Sequence, residues 1–147
     1  MEEINIQELR EKAEGYYQRG EFFCSEAIIK VIKDAFAPEI SDDIVKMASG
    51  FPVGMGRSGC TCGALSGGIM ALGMMFGRNK PNGTEVDKTM QISKELHDKF
   101  REMNKSTCCR VLTKGLVMGS DVHKKQCVRL TGEVAEEVAK IIIRESK

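Results

Sequence analysis

Between Arg57 and Arg78 the chain runs through Ser58 to Gly77 without a single charged side chain. Within it, Gly59, Gly63, Gly67 and Ala71 recur every fourth residue. That ladder of small residues is the pattern by which two helix backbones approach closely. A twenty-residue uncharged stretch also raises the question of a membrane span. Its composition answers against one. Most positions are Gly, Ser, Thr, Ala or Cys, and the strongly apolar residues that drive insertion are confined to Leu65, Ile69, Leu72 and Phe76. No second hydrophobic span accompanies it. The stretch is therefore expected to form a central, buried, glycine-rich helix. Each interior glycine costs such a helix about 1 kcal/mol relative to alanine. Gly63, Gly67, Gly68 and Gly73 accordingly need an offsetting gain. Close approach of a neighbouring helix is one gain; room for a bulky atom beside Cys62 is another. Met70, Met74 and Met75 read as core filler on the other face.

The remaining segments carry the 3.6-residue period of helices and no sustained alternation. Ile6, Leu9, Ala13 and Tyr16 or Tyr17 begin the first helix, which Gly20 ends. Ser25 to Phe36 forms the second, with Ala27, Ile28, Val31, Ile32 and Ala35 inward and Pro38 beyond. Ser41 caps a third short helix ending at Gly50. The Gly- and Pro-rich run from Phe51 to Gly59 is a loop, and N-K-P-N-G at 79–83 is a surface turn. Thr84 with Asp87 resembles a capping box for a long helix whose inner stripe is Val86, Met90, Ser93, Leu96, Phe100 and Met103. Gly115 to Ser120 reads as loop. A last helix, with Val134, Val138, Ile141 and Ile142 inward, runs to about Glu145. The expectation is one all-α domain over residues 1–147, a compact bundle of about five or six helices around the glycine-rich one.

Composition narrows the function. Net charge is +1 and aromatics are 5% with no tryptophan. Neither a phosphate-attracting face nor a base-stacking platform is indicated, so no nucleic-acid partner is expected. The acidic start, Met1-Glu2-Glu3, is unlike a secretory signal, and the expected location is cytoplasmic. In a reducing compartment the six cysteines read as thiols, metal ligands or redox-cycling groups rather than permanent disulfides. They are Cys24, Cys60, Cys62, Cys108, Cys109 and Cys127. None forms Cys-x-x-Cys, and Cys-x-x-Cys-His is absent, which excludes c-type haem attachment. Several sit at helix entries, where the helix dipole favours thiolate, and Arg57 and Arg110 act in the same direction. His97 falls on a charged helix face made by Glu95, Asp98, Lys99, Arg101 and Glu102. His123 falls in a lysine-rich stretch read as loop. Neither is read as a ligand.

The motif Cys62-Gly63-Ala64-Leu65-Ser66-Gly67 resembles the C-G-A-x-x-G signature of the C_GCAxxG_C_C family of redox-active proteins. Cys24-Ser25-Glu26-Ala27, Cys109-Arg110-Val111-Leu112 and Cys127 match its other cysteine positions, so the resemblance covers nearly the whole chain. It implies that Cys24, Cys62, Cys109 and Cys127 form one shared redox or metal site. Gly63, Ala64 and Gly67 would shape it, and Cys60 and Cys108 would be auxiliary thiols. A related domain in split-Soret-type cytochromes is associated with an iron–sulfur site; the haem motifs of those proteins are missing here.

Four thiolates from separate segments suit an iron–sulfur cluster used in electron transfer or sensing. A metal-free dithiol–disulfide protein, a module holding zinc or another soft metal, and a plain helical interaction protein are the competing readings. The partner would be a redox protein or a small oxidant or reductant. The small-residue ladder could also serve a second copy of the chain, as a homodimer.

Overall fold

The computed structural model describes residues 3–147. Met1 and Glu2, the head of the acidic start, lie outside the described residues. Five helices of thirteen residues or more build the molecule: α1 (Ile6–Gln18), α2 (Cys24–Phe36), α4 (Gly63–Phe76), α5 (Glu85–Asn104) and α7 (Asp121–Glu145). A 3₁₀ segment, Asp42–Ala48, and two single turns, α3 (Pro52–Met55) and α6 (Cys109–Leu112), complete the order. The fold is all-α.

The glycine-rich helix α4 is central, touching α2, α5 and α7. Eight of its residues, from Gly63 to Gly68 with Ala71 and Leu72, are buried. Burial on three sides explains why the stretch carries no charge. No helix among the described residues is long and apolar enough to cross a membrane. Two adjacent glycines serve different neighbours. A Cβ on Gly67 would stand 2.6 Å from Ser25 Cα, so α2 backbone lies directly against it. One on Gly68 would stand 2.5 Å from Val134 Cγ1 and 2.9 Å from Leu96 Cδ2. Gly73 has nothing within 4 Å and receives no such gain.

Helix α2 lies between α1, α4 and α7. Its Ala27, Ile28, Ile29, Val31 and Ile32 are buried, each large one contributing about 1.5–3 kcal/mol by burial. Ser25, also buried, donates its hydroxyl to Ala48 O at 2.7 Å and ties α2 to the 3₁₀ segment. Ser41 caps that segment by accepting from Asp43 N.

Three local expectations are corrected. The inner stripe of α5 is Ile92, Leu96 and Phe100, with Met90 and Met103 exposed. The stripe follows the side that meets α4 and α7 rather than the one drawn through the methionines. The Thr84–Asp87 capping box does not form, because Thr84 is itself in helical geometry with no side-chain cap. Thr89 instead donates to Phe76 O at 2.9 Å, joining the two helix ends. Finally, α7 begins at Asp121, capped by Ser120, so both His123 and Cys127 lie inside the helix.

The loop after the 3₁₀ segment has unusual backbone. Val53, Gly54, Met55, Gly56 and Arg57 all have φ between 56° and 70°, as does Gly59 at 69°. This is a left-handed turn, which costs a non-glycine residue about 1–2 kcal/mol. Gly54 is required there: a Cβ would lie 2.4 Å from Cys60 N and 2.9 Å from Cys109 Cβ.

Candidate four-thiol site

The site is assembled where two non-helical segments meet at the start of α4. Thr61 and Cys108 form an antiparallel bridge. Cys62 N donates to Thr107 O at 2.8 Å, Cys109 N to Cys60 O at 2.5 Å, and Arg110 N to Gly59 O at 3.1 Å. Arg110 also reaches back with Nη2 to Ser58 O. In this register Cys60 stands opposite Cys109, and Thr61 opposite Cys108. The left-handed turn supports the ribbon from below, Gly54 O accepting from Cys60 N and Val53 O from Gly59 N. The strained loop therefore fixes the backbone that carries four of the six cysteines.

Cys24 enters from α2, with its sulfur against α4. A Cβ on Gly63 would be 2.7 Å from Cys24 Sγ and 2.9 Å from Phe51 O, so only glycine leaves this sulfur its place. Cys127 enters from α7. Cys24, Cys62 and Cys109 are buried, Cys127 and Cys108 half-buried, and Cys60 exposed; all six are free thiols. Ala64 is fully buried in the core beside Cys62, whereas Gly67 meets Ser25 rather than a sulfur.

Cys62 and Cys127 each lie near enough to both Cys24 and Cys109 to repel them when charged. Burial raises the Cys24 thiol well above its ordinary value, and Cys62 and Cys127 add to the rise. Burial pushes Cys62 up to about 11; N–H groups of Ala64 and Leu65 at the start of α4 oppose it, and Cys127 and Cys109 reinforce it. Cys109 and Cys127 are also raised, mainly by burial; Thr113 and Arg110 draw Cys109 back, and a hydrogen bond from Tyr17 draws Cys127 back. The thiolate preference expected from helix entries is thus corrected. The helix-start donors are present, but desolvation of sulfur outweighs them.

Two residues that the sequence did not single out complete the surroundings. Tyr17 of α1 stands beside Cys127, and burial followed by the neighbouring thiols holds its phenol protonated. His123, expected in a lysine-rich loop, is only 8% exposed, in the first turn of α7. Its Nε2 lies 3.4 Å from Cys127 Sγ. The readable signal was the H-x-x-x-C spacing, which places both side chains on one helix face. His97 is half-exposed and paired with Asp98, as its charged face suggested. A surface cavity of about 440 Å³, lined by Tyr17, Phe22, Phe23, Glu26, Ser49 and Lys124 among others, opens above Tyr17.

The donor chemistry of this set is that of a soft-metal or cluster site: four sulfurs and no carboxylate among them. No three His, Cys, Asp or Glu side chains among the described residues converge at the spacing of a single bound ion.

Helical packing that encloses several free thiols, each from its own segment, defines a small cysteine-centred helical protein. The model of the family described as "Putative redox-active protein (C_GCAxxG_C_C)" matches residues 22–141, from just before Cys24 to well past Cys127. The chain belongs to this family. It is also similar to a protein of Archaeoglobus fulgidus described as an uncharacterized protein, with 26% identity over 120 residues, 77% of this chain and 80% of the relative. No solved structure matches.

Proposed function

We propose that this redox-active protein holds an iron–sulfur cluster on Cys24, Cys62, Cys109 and Cys127 and uses it for electron transfer or sensing. The observation that carries the reading is the gathering of four mutually repelling, largely buried thiols from α2, the ribbon, α6 and α7. Buried free thiols with raised pKa are poor nucleophiles and costly as bare thiolates. A cationic centre among them removes both penalties, and its binding releases their protons. Clusters of two or four irons are usually held by four cysteine thiolates, the donor type this set offers. When bound, such a cluster supplies one-electron chemistry. The chain supplies the sulfurs, the clearance at Gly63, donors from Tyr17 and His123, and exclusion of water. The partner is a redox protein or a small oxidant or reductant.

A second reading is a metal-free dithiol protein. It is favoured by exposed Cys60 standing opposite Cys109 in the ribbon. Anaerobic purification with iron and acid-labile sulfide analysis separates the two. The cluster reading expects a coloured protein with about two or more irons per chain. It expects loss of both in Cys62→Ser and their retention in Cys60→Ser. A colourless, iron-free protein that loses thiols in pairs on mild oxidation would establish the dithiol reading instead. Equal loss from both variants would sink the distinction between Cys62 and Cys60.

A further inference from the structure

Among the four thiols Cys127 has a neighbourhood of its own. His123 Nδ1 accepts a hydrogen bond from Gly119 N at 3.0 Å. A ring nitrogen that accepts carries no proton, so the imidazole proton of this ring resides on Nε2. That nitrogen faces Cys127 Sγ at 3.4 Å. The ring cannot readily turn away. It is buried in the first turn of α7, where the backbone N–H of His123 donates to the Ser120 capping hydroxyl at 3.3 Å and fixes the residue that carries the ring. Gly119 has φ of 85°, the left-handed conformation that directs its N–H at the ring. The cap, the glycine and the one-turn spacing from His123 to Cys127 together form a built arrangement.

We propose that His123 is a positioning residue of the four-thiol site, donating Nε2–H to Cys127 Sγ and thereby setting the electron affinity and metal retention of the centre. The inference rests on the cluster reading for its consequence, but the hydrogen bond itself does not need a metal. A donor to a ligand sulfur disperses its negative charge and favours the reduced, more negative state. Residues that orient ligands in this way typically change metal affinity about 10–100-fold when removed.

Three variants divide the possibilities. His123→Leu keeps bulk and removes the donor. His123→Asn keeps polarity, but its amide is too short to reach the sulfur. His123→Gln places an N–H near the position of Nε2. In anaerobically prepared protein, the first two are expected to show a more negative midpoint potential and an affinity for iron lower by about tenfold or more. The glutamine variant restores both towards the parent. Thermal melts run alongside identify any variant that fails to fold, and the asparagine and glutamine pair then carries the comparison. Nitrogen-15 NMR of the metal-free, reduced protein gives an independent readout: a protonated Nε2 and an unprotonated Nδ1 on His123, with the Nε2–H signal displaced in Cys127→Ala. A protonated Nδ1 overturns the proposal, as does a potential unchanged in all three variants or shifted equally in all three. If the parent takes up no iron, the cluster reading fails, while the NMR result still decides whether His123 donates to Cys127.

Discussion

At the scale of single residues, Cys60 and Cys62 show how two sulfurs one residue apart acquire different chemistry. Extended backbone at Thr61 would by itself put Cys60 and Cys62 on one face; the start of α4 at Cys62 draws that sulfur inward while Cys60 stays exposed. Cys62, held up to about 11, is about one-thousandth thiolate at pH 8. Iodoacetamide applied to metal-free protein at that pH is therefore expected to label Cys60 well before Cys62, read by peptide mass spectrometry. Comparable labelling of the two would contradict the burial of Cys62. The same shift has a stability consequence. An acid whose pKa is raised by folding keeps its proton longer in the native state. The metal-free fold accordingly loses stability as pH rises from the ordinary thiol value of 9.0 towards about 11. Melting temperatures across that window should fall less steeply in Cys62→Ala. The motif singles out Cys62 in the sequence, but burial, a tertiary property, reverses the expected ionisation.

The elements themselves were legible wherever a helix had one clear apolar side, as in α2 and α7. Within α4 the ladder of small residues revealed close packing but not which glycines it served. Space distinguishes them. Gly67→Ala is expected to destabilise, since its methyl would press on the α2 backbone at Ser25. Gly73→Ala is expected to stabilise by up to about 1 kcal/mol, because its site is open and alanine favours the helix. Chemical denaturation of the two variants should move in opposite directions. The left-handed turn offers a further test. Arg57 is exposed with φ of 66°, so Arg57→Gly removes backbone strain at little packing cost. A gain of about 1 kcal/mol is expected, and an unfolding midpoint unchanged or lowered would show that the turn holds no such strain. This turn read as ordinary loop because Gly and Pro content reports the breaking of a helix, not the handedness that follows.

For the molecule as a whole, the all-α architecture and the central helix could be read from charge and period alone. The junction of residues 59–62 with 107–110 could not. It rests on backbone hydrogen bonds between segments that carry too few residues to display a strand pattern. His123 escapes for a related reason: Lys124 and Lys125 beside it give the stretch the polarity of a loop, whereas the Ser120 cap sets it inside a helix. Local period sees neither long-range pairing nor the depth at which a side chain is finally buried.

The long last helix has a consequence in time. Helix α7 packs on α1, α2, α4 and α5, and it brings Cys127 to sulfurs carried by elements made earlier. During synthesis the earlier helices emerge first. Until α7 docks, Cys24 and Cys62 lack Cys127 and part of the helical packing that buries them. Concealment of these thiols is therefore tied to a late step of folding, and an unfinished chain exposes thiols that the finished one buries.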